Sequence, residues 1–317
     1  MAARQAAGHP ERPAVYMSDQ SHSALKRAAL IAGVRREHIR LVPSGDDFRM
    51  DLGELCRCVA DDRANGLQPM AVCANAGSAG TGAIDPLVPM SDFCRDENVW
   101  LHVDAAYGGF ALVTRDGKEL LDGIERSDSV GMDAHKWFFQ PYEAGALMVK
   151  NAKHLEDAFA IGNDVLQDTV WGANHPNFAD RGQQLSRAAR ALKIWMSVQT
   201  FGMAKFRAEV QKGLDLARRA EAYVEASDVL ELMTPGSLGI VCFRVNPGDR
   251  DEESLEDVNR NVLARVFWDE LAFFSSTSLK GTFALRICIV NHTTTWEDVR
   301  MTLDLVVRLG REVLAGK

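Results

Sequence analysis

Short apolar runs alternate with segments of helical periodicity through the first half of the chain, and this alternation constrains the fold most. Apolar runs at 70–74 and 99–103, for example, flank a helix-like segment at 87–97. Strands and helices that take turns at these lengths form a mostly parallel sheet with helices on both faces. The sequence therefore predicts a large α/β domain.

The pattern changes in the second half of the chain. Residues 160–179 form a polar stretch without periodicity, which is typical of a functional loop or lid. Two helical segments broken at Gly202 follow, and then adjacent strands joined by a short turn indicate an antiparallel α+β unit. We expect a large domain over residues 1–200, including a mobile loop at 160–179, and a small C-terminal α+β domain over residues 201–317.

Composition and charge argue against several classes of function. With 36 Lys and Arg against 44 Asp and Glu, the net charge of −8 repels nucleic acid and anionic membranes. No apolar run approaches the ~20 residues of a membrane span, and the first twenty residues carry no signal-peptide core. The six cysteines lie mostly in apolar stretches, so we interpret them as reduced core residues. We expect a cytoplasmic protein with neither a nucleic-acid nor a membrane partner.

The most informative segment is an apolar run that ends in Asp104. It reads Trp-Leu-His-Val-Asp-Ala-Ala-Tyr-Gly-Gly over residues 100–109. The carboxylate therefore follows a predicted parallel strand, at the end where open α/β sheets bind ligands, and small neighbours such as Ala106 would admit something flat. Taken alone, Asp104 could instead cap the following turn, or form half of a metal site with His102.

A second predicted strand leads into His135 and Lys136, with Ser129 and Asp133 before them. A lysine that is followed by the apolar residues 137–139 would be partly desolvated, which favours the neutral, nucleophilic amine needed for Schiff-base chemistry. In isolation, a surface lysine after a strand is an equally good interpretation.

Two weaker segments place polar residues in predicted turns. His22 lies where a polar turn begins the first helix, and a lone histidine there is more often a cap or a surface residue. Ser78 lies in a glycine-rich loop at 75–85, which could cradle an anion. That loop matches neither the phosphate-binding loop nor the dinucleotide fingerprint, so it is weak evidence alone.

In this order, the segments resemble the pyridoxal-phosphate-dependent (group II) amino acid decarboxylases, and most closely their aromatic-L-amino-acid decarboxylase branch. The motifs that carry the resemblance are Asp19-Gln-Ser-His22-Ser, His102-Val-Asp104-Ala-Ala106 and Asp133-Ala-His135-Lys136-Trp137. The resemblance covers essentially the whole chain. It implies an aspartate-aminotransferase-like large domain, a pyridoxal 5′-phosphate cofactor, no metal, and a homodimer with the active site at the subunit interface.

The resemblance also implies a role for each matched residue. Lys136 would form the internal aldimine, and Asp104 would keep the ring nitrogen protonated so that the ring can accept electrons. His22 would stack over the ring, with Ala106 against its other face. The further cofactor contacts implied are Ser78, Ser129, Asp133 and His135. The implied reaction of this carboxy-lyase converts an L-amino acid, aromatic by the branch, to the amine and carbon dioxide.

Two departures from the family pattern leave alternatives open. Family members are considerably longer, and the matched portion begins at Tyr16, so we expect the N-terminal arm and the first part of the cofactor domain to be missing. The family's loop tyrosine, a proton donor, falls on Val165, and losing a general acid costs ~10² to 10⁴ in rate. The alternatives are decarboxylation coupled to oxidative deamination, an inactive dimerising paralogue, and a shifted alignment in which His175 serves as the proton donor. A metal hydrolase built on His102, Asp104 and His135 is a more distant one.

Overall fold

The computed structural model describes residues 1–161, 176–248, 250–268 and 272–316. Within these ranges, the N-terminal half forms a six-stranded sheet in the order β2-β1-β3-β4-β5-β6. The strands are β1 Pro13–Ser18, β2 Ile39–Val42, β3 Gln68–Asn75, β4 Trp100–Asp104, β5 Ser129–Asp133 and β6 Gly145–Val149. The first five pair in parallel, whereas β6 runs antiparallel to β5. The carboxyl ends of β1, β3, β4 and β5 therefore lie side by side.

Helices pack on both faces of this sheet. They are α1 Ala2–Ala6, α2 Ser23–Ile31, α3 Leu52–Ala64, α4 Leu87–Asp96, α5 Arg115–Leu120 and α6 Lys153–Phe159. Ala29 of α2 packs with Val15 and Met17 of β1 on one face. The opposite face of the sheet packs on α3 and α4 in the main core. Asp51 caps the start of α3, because its Oδ1 accepts a hydrogen bond from Glu54 N at 3.0 Å.

The C-terminal part forms a second, antiparallel sheet with long helices. In the described residues this sheet has the strand order β7-β8-β10-β9. Its elements are α7 Arg190–Glu225, β7 Leu230–Leu232, β8 Ile240–Val245, α8 Glu252–Trp268, β9 Ser275–Leu279, β10 Thr282–Cys288 and α9 Trp296–Leu314. The predicted fold class, a mostly parallel α/β sheet followed by a smaller antiparallel unit, is confirmed. The domain boundary at 200/201 stays a prediction; it lies inside α7, beside Gly202, whose φ of 74° interrupts the helix.

Several segments differ from the sequence expectations. β1 does not alternate, because all six of its residues are buried, and the sequence pattern suggests only a polar turn there. The first of the two helical segments begins only at Arg190, although helical periodicity extends upstream of it. Most of the predicted mobile loop, with Val165 and His175, falls at 162–175, outside the described residues; its end forms a short 3-10 helix, Phe178–Arg181. No helix within the described ranges is long and apolar enough to cross a bilayer.

Candidate active site

The sheet topology brings the three predicted motifs to one edge. β3, β4 and β5 end at Asn75, Asp104 and Asp133, and the register places Asn75 beside Asp104. The turn after β1 reaches the same edge, because Ser21 Oγ donates a hydrogen bond to Asn75 Oδ1 at 3.3 Å. His22 follows directly. The motifs that are far apart in sequence therefore become neighbours, as expected for the carboxyl ends of parallel strands.

Backbone hydrogen bonds fix the turn that follows Asp104. Ala106 N donates to Asp104 Oδ1 at 3.1 Å, and Ala106 O accepts from Asp133 N at 3.1 Å. The other carboxylate oxygen of Asp104, Oδ2, has no hydrogen-bond partner in the part of the chain that the structure describes. The arrangement therefore holds the carboxylate in place and leaves one oxygen free to accept a hydrogen bond from a ligand.

Ser129 lies upstream of this edge, among buried polar groups. Its hydroxyl accepts from Trp100 Nε1 at 2.8 Å and lies 2.9 Å from His102 Nδ1. Burial lowers the pKa of His102, although Asp104 acts in the opposite direction, so the imidazole is neutral near pH 7. A cluster of three or more His, Cys, Asp or Glu side chains that could hold a metal does not occur among the described residues.

Lys136 lies in the turn after β5 and faces outward. Its Nζ is 3.1 Å from Asp133 Oδ2, and its side chain is 44% exposed. The desolvation expected for this lysine is therefore wrong, because Trp137 and Phe138 turn into the core, at 0% and 4% exposure, while Lys136 does not. The amine is accessible, and a partly exposed ion pair of this kind contributes only ~0 to 1 kcal/mol.

The histidine before this lysine is oriented by a backbone group. His135 Nδ1 accepts a hydrogen bond from Ala144 N at 3.0 Å, so a neutral His135 carries its proton on Nε2. That Nε2 atom lies 3.7 Å from Asp133 Oδ2. The tilted ring of Tyr142 packs on the imidazole with 4.4 Å between centroids. His135 therefore offers a donor with a carboxylate close behind it.

The two remaining predicted contacts differ in accessibility. His22 is exposed and caps α2, since its Nδ1 accepts from Ala24 N at 3.2 Å. Ser78 is 2% exposed, and its hydroxyl lies 2.9 Å from Thr81 Oγ1 within the glycine-rich loop. The structure thus brings His22, Asp104, Asp133, His135 and Lys136 to one accessible edge, and it engages the hydroxyls of Ser78 and Ser129 elsewhere.

Sequence reasoning missed two buried groups behind this edge. Asp85 accepts hydrogen bonds from Asn75 N at 2.6 Å and from Met50 N at 2.7 Å, and burial raises its pKa to about 6. Tyr107 stacks on Trp137 and accepts from Gly239 N at 2.6 Å, which joins the end of β4 to the small domain. Only their positions in the sequence could have indicated these residues: Asp85 ends the glycine-rich loop, and Tyr107 follows the Asp104 motif.

Comparison with known proteins agrees with this geometry. The profile of the pyridoxal-dependent decarboxylase conserved domain matches residues 2–246. An aromatic-L-amino-acid decarboxylase of Bacillus atrophaeus is 34% identical over 305 residues, which cover 96% of this chain and 64% of that protein. A phenylacetaldehyde synthase of Arabidopsis thaliana is 33% identical over 282 residues, which cover 88% of this chain and 58% of that protein.

The fold agrees as well. The crystal structure of Oryza sativa TDC with PLP and tryptamine is similar with a TM-score of 0.93 at 29% identity, covering 98% of this chain and 67% of that one. Each of these relatives is longer than this chain. The resemblance predicted from the three motifs is confirmed, and the chain belongs to the pyridoxal-dependent decarboxylase family.

Proposed function

We propose that this chain binds pyridoxal 5′-phosphate at the carboxyl ends of β3, β4 and β5 and decarboxylates an aromatic L-amino acid to the amine and carbon dioxide. The main support is that three groups lie at one edge of the sheet: a carboxylate oxygen of Asp104, the accessible amine of Lys136 and the exposed imidazole of His22. Asp104 can accept a hydrogen bond from a ring N–H, Lys136 can attack an aldehyde, and His22 can stack on the face of a ring. The Bacillus relative, an aromatic-L-amino-acid decarboxylase, supports the substrate class.

The residues at this edge fit the cofactor chemically. When bound, the cofactor supplies a pyridinium ring that accepts the electron pair left on the substrate Cα as carbon dioxide departs. Asp104 would hold the proton on the ring nitrogen through Oδ2, because Oδ1 already accepts from Ala106 N. The short side chain of Ala106 leaves room for a planar group on one side, and His22 would cover the other.

Lys136, Asp133 and His135 would act at the opposite end of the cofactor. Lys136 Nζ would bind the aldehyde carbon after leaving Asp133, which is feasible because their ion pair is partly exposed and weak. His135 would donate from Nε2 to a phosphate oxygen, and Asp133 Oδ2 lies 3.7 Å from that donor. Ser78 and Ser129 would make no cofactor contact, since the hydroxyl of Ser78 is bonded to Thr81 and that of Ser129 to Trp100 and His102.

The test is whether the protein gains a visible absorbance band with pyridoxal phosphate that depends on Lys136. We expect the band in the wild type and its loss in Lys136→Ala, because lysine is the group that bonds to the aldehyde. Lys150→Ala is the matched control: Lys150 follows β6 beside the amino end of β5, at the opposite edge of the sheet. A band that persists in Lys136→Ala, or that Lys150→Ala also abolishes, would argue against the proposed site.

A second outcome of the same chemistry has specific support. One of the relatives is named a phenylacetaldehyde synthase, and Val165, which lies outside the described residues, cannot deliver a proton to Cα. In this alternative, oxygen and water convert the amino acid to an aldehyde, carbon dioxide, ammonia and hydrogen peroxide. Product analysis separates the two outcomes: an amine without peroxide supports decarboxylation, and an aldehyde with equimolar peroxide supports the alternative.

We further propose that two copies of the chain associate through an exposed apolar surface beside this site. The side chains that form it are Leu147 57%, Met148 49%, Leu192 54%, Trp195 61% and Met196 54% exposed. The first two lie on the edge strand β6 and the others on α7, which is held against the segment before β6 because Lys193 Nζ donates to Pro141 O and Glu143 O. Exposed apolar side chains, aromatic and Met among them, are typical of an interface.

A further inference from the structure

A chain of hydrogen bonds runs from a buried carboxylate to the turn that carries His22. Asp85 is 2% exposed, and its Oδ1 accepts from Met50 N at 2.7 Å. Its Oδ2 accepts from Asn75 N at 2.6 Å and from Asn75 Nδ2 at 3.1 Å. Asn75 Oδ1 then accepts from Ser21 Oγ at 3.3 Å. Three side chains from three separate segments therefore connect the core to the residue before His22.

The chemistry of Asp85 sets the direction of this chain. A carboxylate accepts hydrogen bonds and does not donate them, so Asn75 must turn its amide nitrogen toward Asp85. Its amide oxygen then faces Ser21, which has a hydroxyl to donate. Asn75 is itself 3% exposed, which restricts its rotamers. The buried carboxylate thereby fixes Asn75 Oδ1 as a hydrogen-bond acceptor at the end of β3, next to Asp104.

The turn after β1 also has local anchors, among them a backbone hydrogen bond from Ser21 N to Ser18 O at 3.0 Å. Gln20 N donates to Ser18 Oγ at 3.1 Å, and Asp19 Oδ2 accepts from Ser44 N at 3.3 Å. These bonds tie the turn to β1 and to the segment after β2. The bond from Ser21 ties the other end of the turn to β3, the strand that neighbours Asp104.

We propose that Asp85, Asn75 and Ser21 form a positioning relay that holds His22 over the cofactor ring bound at Asp104. The proposal rests on the proposed function, since it assigns these residues no contact with the cofactor and lets them act through His22. Breaking the last bond of the relay leaves His22 on an exposed turn with more accessible positions. Cofactor binding then weakens, because the imidazole must be ordered as the cofactor binds.

The test compares two serines of the same turn. Ser21→Ala removes the last bond of the relay, whereas Ser23→Ala removes a neighbouring exposed hydroxyl for which the structure describes no hydrogen bond. The dissociation constant of pyridoxal phosphate is measured by fluorescence titration of the apo protein. We expect Ser21→Ala to weaken binding about two- to tenfold, the size of one neutral hydrogen bond, and Ser23→Ala to leave it unchanged. Equal dissociation constants for the two variants would overturn the relay.

A double-mutant cycle separates positioning from general damage to the fold. If Ser21 acts through His22, Ser21→Ala has no further effect on the dissociation constant in a His22→Ala background. The same loss in both backgrounds would show a merely structural role and overturn the relay. Failure of the relay is distinct from failure of the proposed function, because the second requires that the wild type itself gains no Lys136-dependent absorbance.

Discussion

Tyr107 joins the end of β4 to the small domain through a buried hydroxyl group. Its Oη accepts a hydrogen bond from Gly239 N at 2.6 Å, and Ile289 N donates to Gly239 O at 2.7 Å, so both polar groups of that buried glycine are used. The ring stacks on Trp137 at 5.2 Å between centroids, with 9° between planes. Burial raises the pKa of Tyr107 well above its usual range, so the phenol stays neutral at ordinary pH.

Tyr107→Phe keeps the stacked ring and removes the acceptor of Gly239 N. A buried N–H without a partner costs about 1 to 3 kcal/mol of the free energy of unfolding. The entropy of unfolding near the midpoint is about 2.1 cal/mol/K per residue, which is about 0.7 kcal/mol/K for 317 residues. The melting temperature of the variant should therefore fall by about 1.5 to 4.5 °C.

Scanning calorimetry of the apo proteins measures this directly. The matched control is Tyr142→Phe, which also removes a phenol hydroxyl, but from a residue that is 85% exposed. The near-ultraviolet circular dichroism of Tyr107→Phe should keep the wild-type shape, because the stack on Trp137 remains. A Tyr107→Phe protein that melts with the wild type, or a Tyr142→Phe protein that loses as much, would refute the reasoning.

Asp85→Asn tests how burial couples stability to pH. The pKa of Asp85 is about 6 in the folded protein, against an ordinary value near 3.9. The folded state therefore binds more protons than the unfolded state between about pH 4 and 6. As pH rises through that window, the contribution of Asp85 to the free energy of unfolding falls by about 3 kcal/mol. Urea unfolding near pH 4 and near pH 7 should therefore show the wild type losing stability relative to Asp85→Asn, and a pH-independent difference would contradict this. Trp195→Glu should shift the proposed dimer toward monomer in sedimentation velocity, whereas Trp268→Glu, at an 86% exposed site on α8, should not; a dimer that survives Trp195→Glu would remove α7 from the proposed interface.

An apolar run with turn signals at both ends was predictable as a strand, and one that merges into a polar turn was not. The strand Ile240–Val245 is of the first kind, since a mostly apolar run of six residues between turn signals suits a buried strand. The strand β1 is also buried throughout, but the sequence did not indicate it, because Ser18 at its end looks like part of the polar turn that follows. Helical periodicity also continues upstream of Arg190, where the chain does not form a helix, so pattern alone did not locate the start of α7.

At the site, position along a strand was predictable and side-chain direction was not. Asp104 and Lys136 were placed correctly at strand ends, because an apolar run followed by a polar residue indicates where a strand stops. The exposure of Lys136 depends on which way the turn after Asp133 directs each side chain, and sequence spacing does not give that direction. The hydroxyl of Ser129 is bonded to Trp100 and His102, residues of another strand, and such a partner emerges only from the register between β4 and β5.

The position of Lys136 depends on the small domain as well as on the sheet that carries it. Trp137, the next residue, is fully buried and lies between the ring of Tyr107 and two glycines of the C-terminal part. A Cβ atom at Gly213 would lie 3.1 Å from Trp137 Nε1, and one at Gly239 would lie 3.4 Å from its Cζ2. The indole therefore fills a slot with little free space, and a shift of the small domain would move it. Since one peptide unit separates the indole from Lys136, packing between the two sheets sets where the amine can reach.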